Sequence, residues 1–227
     1  MDFPFVDFHT HRPATSGLHV LNLPRDGAFP TDRTEHPEIE GNTDTETRWY
    51  CYGIHPWWVD DTENESLLLE RLLNENRIAM IGETGIDKAH PLVELQLKTL
   101  ERHIALSESY RKPLVLHNVR GTSEILQLHK KHFPTQAWVV HGFNGTQEEA
   151  RQLTCRGIHL SVGESLLYDN RKITISISSI SLDYLFFETD EAAIPVSEVY
   201  RQASELMGIP LEVLKARVFA NFKRILL

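Results

Sequence analysis

Asp7-Phe8-His9-Thr10-His11 closes a short apolar run near the start of the chain. Side chains alternate faces along a strand, so His9 and His11 point the same way, with Asp7 beside them. Two imidazoles on one face at a strand's end are the beginning of a divalent-metal site. Groups of the same chemistry recur behind further apolar runs. Glu83 follows Ile81-Gly82, His117 follows Leu114-Val115-Leu116, His141 follows Trp138-Val139-Val140, and Asp190 follows Phe186-Phe187-Glu188-Thr189. A single histidine at a strand end is more often a hydrogen-bonded structural residue than a ligand, and a single carboxylate there is more often a helix cap or a surface charge. Six such groups at five strand ends are a pattern that independent structural residues rarely make. Six donors exceed the needs of one tetrahedral zinc ion and suit two divalent ions ~3.5–4 Å apart, bridged by one carboxylate. Such a pair supplies hydroxide near neutral pH and holds an electron-rich phosphoryl or carbonyl oxygen as charge develops on it. Imidazole-rich ligation favours Zn or Mn, with Mg left open.

The elements that must carry these groups are legible as apolar runs. Strands are expected at residues 6–9, 18–23, 49–54, 78–82, 114–117, 138–141, 158–162 and 184–187. Near-continuous apolar runs of this length suit parallel strands covered on both faces. Helical spacing of apolar residues predicts helices at 65–76, 91–111, 122–132, 146–156, 195–207 and 211–219. Strand–helix alternation implies βαβ units, and eight strands imply a TIM-type (β/α)8 barrel with its chemistry at the C-terminal strand ends. Residues 1–227 are expected to form one such domain. The barrel is expected to be irregular. Residues 24–47 hold prolines, glycines and polar residues with no apolar stripe, and read as a long loop in place of the helix after the second strand. Residues 173–182 alternate Ser and Ile, so propensity favours a strand where topology wants a short helix.

The composition narrows the function classes. The 227 residues are 41% hydrophobic and 24% charged, which suits a folded globular chain rather than a disordered one. No apolar run approaches the ~20 residues of a membrane span, and no basic stretch leads into an apolar segment at the start, so a cytoplasmic protein without a membrane partner is expected. Cys51 and Cys155 lack metal-type spacing and are expected to be reduced, with a single bridge left open. The net charge of −9 argues against a surface built for non-specific nucleic-acid binding. It is compatible with a nuclease, because two bound dications add charge at the one place that needs it. No obligate protein partner is evident.

The motifs resemble those of the TatD-type metal-dependent deoxyribonucleases of the amidohydrolase superfamily. The opening Asp-x-His-x-His is met by Asp7, His9 and His11, and Gly-(Val/Ile)-His-Pro by Gly53-Ile54-His55-Pro56. The family's Gly-Glu-Ile-Gly-Leu-Asp is close to Gly82-Glu83-Thr84-Gly85-Ile86-Asp87. A helix start carrying Gln is met by Glu94-Leu95-Gln96, His-x-Phe-x-Gly-(Ser/Thr) by residues 141–146, Glu-Thr-Asp by residues 188–190, and the closing Asn-hydrophobic pair by Asn221-Phe222. The resemblance implies that His9, His11, Glu83 and Asp190 hold one metal and that Glu83, His117 and His141 hold the second. It implies that Asp190 also acts as general base on water, and that His55, Asp87 and Arg120 contact the substrate phosphate. For His55 the alternative is a purely structural role before Pro56. There are departures. Arg120 stands one place later than the family's His-x-Arg, and Glu191-Ala192-Ala193-Ile194-Pro195 replaces a longer loop after Glu-Thr-Asp. The chain reads as a short variant with the metal core kept and the substrate-facing loops trimmed.

The expected function is hydrolysis of phosphodiester bonds, in the manner of a 3′–5′ exonuclease on DNA or an enzyme acting on a small phosphoester. One alternative is hydrolysis of a cyclic amide or lactone, which the same metal pair serves. The other is a non-catalytic metal-binding barrel. Trp49, Trp57, Trp58 and Phe143 lie near proposed loop ends, where stacking suits a terminal nucleotide, although for Trp57 and Trp58 a cap on the barrel is the more ordinary role.

Overall fold

The computed structural model describes residues 3–12, 17–30, 48–60, 62–168 and 171–226. Eight strands form one sheet in sequence order: β1 (Val6–Thr10), β2 (Leu18–Asn22), β3 (Arg48–Tyr52), β4 (Met80–Asp87), β5 (Leu114–Val119), β6 (Trp138–Val140), β7 (His159–Val162) and β8 (Leu185–Phe187). Every neighbouring pair is parallel. The sheet returns on itself through a parallel bridge between Thr10 and Asp190. There the His11 N–H donates to the Asp190 carbonyl at 3.0 Å, and the Asp190 N–H donates to the His9 carbonyl at 2.9 Å. The barrel therefore closes at residues singled out as ligands.

Helices connect the strands: α1 (Glu63–Asn74), α2 (Val93–Tyr110), α3 (Thr122–His132), α4 (Gln147–Thr154), α5 (Arg171–Ile177), α6 (Val196–Met207) and α7 (Leu211–Leu226). Residues 173–182 thus begin in a helix, and the last helix runs a further two turns beyond residue 219. Among the described residues no helix stands between β2 and β3, and residues 31–47 of the expected long loop lie outside them. Both cysteines are free thiols, Cys51 buried and Cys155 exposed. No helix among the described residues is long and apolar enough to cross a membrane.

Three buried polar residues explain why apolar packing alone does not set the strand ends. Gln96 on α2 accepts from the Asp87 N–H at 2.8 Å and donates to the Asp87 and Pro91 carbonyls, tying the helix to the end of β4. Asn221 on α7 donates to the carbonyls of Leu182 and Leu185, at 2.7 and 3.1 Å, and fixes the start of β8. The Tyr200 hydroxyl on α6 donates to the Val6 carbonyl at 3.0 Å and anchors the start of β1.

Candidate active site

The expected ligands arrive from different strands and converge. His9 lies in β1 and is fully buried, and His11 follows just past the strand. Glu83 lies in β4 and His117 in β5, while His141 directly follows β6. Asp190 stands three residues past β8 with φ +53°, a left-handed conformation that Asp tolerates better than most residues. Gly85 lets β4 run close to β5. Its φ is +147°, and a Cβ there would lie 2.0 Å from the His117 carbonyl oxygen.

The Glu83 carboxylate is the centre of the arrangement. Its Oε2 faces His9 Nε2 at 3.6 Å and His11 Nε2 at 3.5 Å. Its Oε1 faces His141 Nε2 at 2.7 Å, His117 Nδ1 at 2.9 Å and His55 Nε2 at 3.2 Å. Asp190 Oδ1 lies 3.4 Å from His11 Nε2 and 3.7 Å from His9 Nε2. Four overlapping triads bring their donor atoms within 4.8 Å of one another: His9–Glu83–His141, His9–His11–Asp190, His55–Glu83–His117 and His141–Glu188–Asp190. The six expected ligands are all in this cluster. The pairing differs in detail from the family assignment, since His141 groups with His9 and Glu83, and His117 groups with His55 and Glu83.

The cluster fits divalent cations. Both ring nitrogens of His9 are buried without a hydrogen-bond partner, as is Glu188 Oε2. Buried polar atoms left this way are costly and rare, and a cation among them satisfies several at once. The electrostatics point the same way. Burial opposes ionisation of Glu83, but the His141 charge and hydrogen bonds from His11, His117 and His141 outweigh it and hold the carboxyl well below its usual range. Burial likewise opposes a charge on His141, and Glu83 and Glu188 together push the imidazole well above its usual value. The site thus favours positive charge between its carboxylates. Burial first, then the Glu188 and Glu83 charges, push the Asp190 carboxyl up against the pull of His9 and His141.

The three expected substrate contacts separate. His55 caps the short 3₁₀ turn Pro56–Trp58, and its Nδ1 accepts from the Trp57 N–H at 3.2 Å. In a neutral ring that bond places the proton on Nε2, which faces Glu83. Asp87 is buried at the end of β4. It accepts from the Trp57 indole N–H at 2.7 Å and the Ala89 N–H at 2.8 Å, and lies 3.4 Å from His117 Nε2. Arg120 is exposed just beyond β5, at φ +57°, and no hydrogen bond or ion pair joins it to the cluster among the described residues.

Two residues acquire contacts that their sequence positions did not announce. Asp7 turns to the far end of the chain: Oδ1 accepts from the Thr189 N–H at 2.9 Å and Oδ2 from the Thr189 hydroxyl at 2.6 Å. Burial pushes its carboxyl up to about 7, against those hydrogen bonds. Glu188 was absent from the candidate ligands. It is fully buried, accepts from the Gly142 N–H at 2.5 Å and lies 3.7 Å from His141 Nδ1. Its i, i+2 spacing from Asp190 was the available signal.

Comparison with known proteins gives a consistent result. The family described as TatD related DNase matches residues 31–227. An uncharacterized metal-dependent hydrolase of Haemophilus influenzae is 28% identical over 196 residues, 75% of each chain. The 3′-5′ ssDNA/RNA exonuclease TatD of Cronobacter sakazakii is 26% identical over 154 residues, covering 63% of this chain and 56% of that one. The crystal structure of YjjV, a TatD homolog from Escherichia coli K12, matches with a TM-score of 0.82 at 19% identity, over 98% of this chain and 97% of that one, which shows the shared fold. The convergent histidine–carboxylate cluster at the C-terminal strand ends and the match over most of the chain lead to one conclusion: the protein belongs to the TatD-related family of metal-dependent hydrolases.

Proposed function

We propose that the chain is a phosphodiesterase that holds two divalent ions, Zn or Mn in preference to Mg, and trims single-stranded DNA, or a related small phosphoester, from the 3′ end. The observation that carries this is the division of Glu83, whose two oxygens face two different sets of imidazoles, His9 and His11 on one side and His55, His117 and His141 on the other. A bridging carboxylate is what a two-ion site requires, and such ions acidify water and stabilise charge on a phosphoryl oxygen. His9, His11, Glu83, His117, His141 and Asp190 are the holding residues. Asp190 takes the proton of the attacking water. His55, at the edge of the cluster, contacts a substrate oxygen. Asp87 keeps His117 and Trp57 in place. The exonuclease relative of Cronobacter sakazakii supports the choice of nucleic acid as substrate.

The test is a 5′-labelled single-stranded DNA incubated with protein of measured metal content. A ladder shortening from the 3′ end is expected, abolished by EDTA and restored by Zn or Mn. Asp190→Asn keeps the backbone conformation and is expected to lower kcat by about 100-fold or more. Full activity in that variant removes Asp190 as the base. Turnover of lactones or cyclic amides, with none of phosphodiesters, overturns the proposal.

A further inference from the structure

We propose that Trp57 is a stacking platform for the terminal nucleobase of the substrate, a refinement that rests on the nuclease reading above. Trp57 and Trp58 are neighbours in the same turn, yet their surroundings differ. Trp58 is half-buried, 5.3 Å from the His55 ring by centroids, with the Arg25 guanidinium 5.7 Å from its own centroid. It caps the barrel. Trp57 is 51% exposed. A lone exposed aromatic is ordinary on a protein surface, and by itself signals nothing. Trp57 differs in being fixed and in where it is fixed. Its indole N–H donates to the buried Asp87 carboxylate at 2.7 Å, which sets the ring plane without covering the ring. The ring centroid lies 5.0 Å from that of His55 and 6.5 Å from that of His117. Both of those imidazoles face Glu83 Oε1, at 3.2 and 2.9 Å. His90 lies nearly parallel to the indole, 5.8 Å away with 19° between planes.

A half-exposed indole of fixed orientation, with His90 nearly parallel to it, therefore stands beside the bond-breaking centre. The chemistry that recognises such a face is a flat heterocycle. In a chain of net charge −9 with no basic stripe, phosphate contacts along a strand contribute little, so a single stacked base is left to seat the end of the substrate. Stacking of this kind is indifferent to sequence, because every base has a π face.

The experiment uses the full metal-loaded chain and two oligonucleotides that differ only at the 3′ end, one closing on thymidine and one on an abasic tetrahydrofuran residue. Wild type is expected to prefer the base-bearing end by about tenfold in kcat/KM, mainly through KM. Trp57→Ala is expected to erase that preference, while Trp57→Phe, which keeps a ring but loses the N–H to Asp87, retains most of it. A Trp57→Ala protein with the wild-type ratio overturns the proposal, whatever its absolute rate. A wild type that cuts neither oligonucleotide counts against the nuclease reading instead. The platform is then read by fluorescence, titrating thymidine 5′-monophosphate and deoxyribose 5-phosphate in parallel. Quenching by the nucleotide alone, lost in Trp57→Phe, supports the platform, and no quenching, or equal quenching by the sugar phosphate, overturns it.

Discussion

Asp7 shows how a residue beside the candidate ligands positions them without joining them. Both of its oxygens are committed to Thr189, and Thr189 precedes Asp190. Removing the carboxylate strands a buried N–H, since Thr189 is 4% exposed. Asp7→Ala is therefore expected to lower stability by about 1–3 kcal/mol, and Asp7→Asn, which keeps one acceptor for the N–H, by less. Urea unfolding midpoints at unchanged m-value measure the difference, and an Asp7→Ala protein as stable as wild type contradicts the role. The sequence disclosed the type and strand-end position of Asp7 but not its partner, because Thr189 lies 182 residues away and is brought close only by closure of the barrel. Glu188 was hidden differently. It directly follows the last apolar run, and its contact with Gly142 and His141 depends on how β6 and β8 flank β7. His9, His11, Glu83, His117, His141 and Asp190 were legible because strand ends in a parallel barrel share one rim, so position along the chain already implies proximity.

The strands were legible as near-continuous apolar runs buried on both faces, and the helices as one-sided apolar stripes. Residues 173–182 were not, because two periodicities coincide there. Ile173, Ile175 and Ile177 alternate as a strand would, yet the structure buries Ile173 and Ile177 and leaves Ile175 63% exposed. That is the i, i+4 pattern of α5, and only packing against the barrel distinguishes it from alternation. Register within the sheet depends on a detail of the opposite kind, a side chain that is missing. Gly85 faces the His117 carbonyl so closely that a methyl group would lie 2.0 Å from it, in a backbone conformation L-residues avoid. Gly85→Ala is expected to separate β4 from β5, carrying Glu83 away from His117, at about 3 kcal/mol or more. For a chain of this size that corresponds to a Tm lowered by roughly 6–12 °C, with a parallel loss of metal affinity. Gly157→Ala is the control: its φ is also positive, at +78°, but nothing lies within 4 Å of the added carbon. Equal Tm values for the two variants contradict the proposed close approach.

At the scale of the whole molecule, the response to acid is set outside the histidine–carboxylate cluster as well as within it. His103 on α2 is fully buried with both nitrogens engaged: Nε2 accepts from the Ile54 N–H at 3.1 Å and Nδ1 donates to the Thr99 carbonyl at 2.7 Å. His159 in β7 is buried beside Arg224, whose guanidinium lies 3.2 Å from Nε2. Burial, with the Arg102 charge in one case and the Arg224 charge in the other, depresses both imidazoles to about 4. An unfolded histidine titrates near 6.5, so the unfolded chain binds these protons first. Their contribution is constant above about pH 6.5, falls between about 6.5 and 4, and is flat below. Each histidine then accounts for a loss on the order of 3 kcal/mol across that window. Asp7 acts with the opposite sign, since a carboxyl raised to about 7 favours the folded state as pH falls, so the total slope understates the histidines. The difference between two proteins isolates one group. For metal-free protein, the stability of His159→Gln relative to wild type is expected to rise by about 2 kcal/mol as pH is lowered from 7 to 4.5, measured by urea unfolding at each pH. A difference that stays constant across that range means that His159 is not the buried neutral imidazole described, and that acid unfolding begins elsewhere.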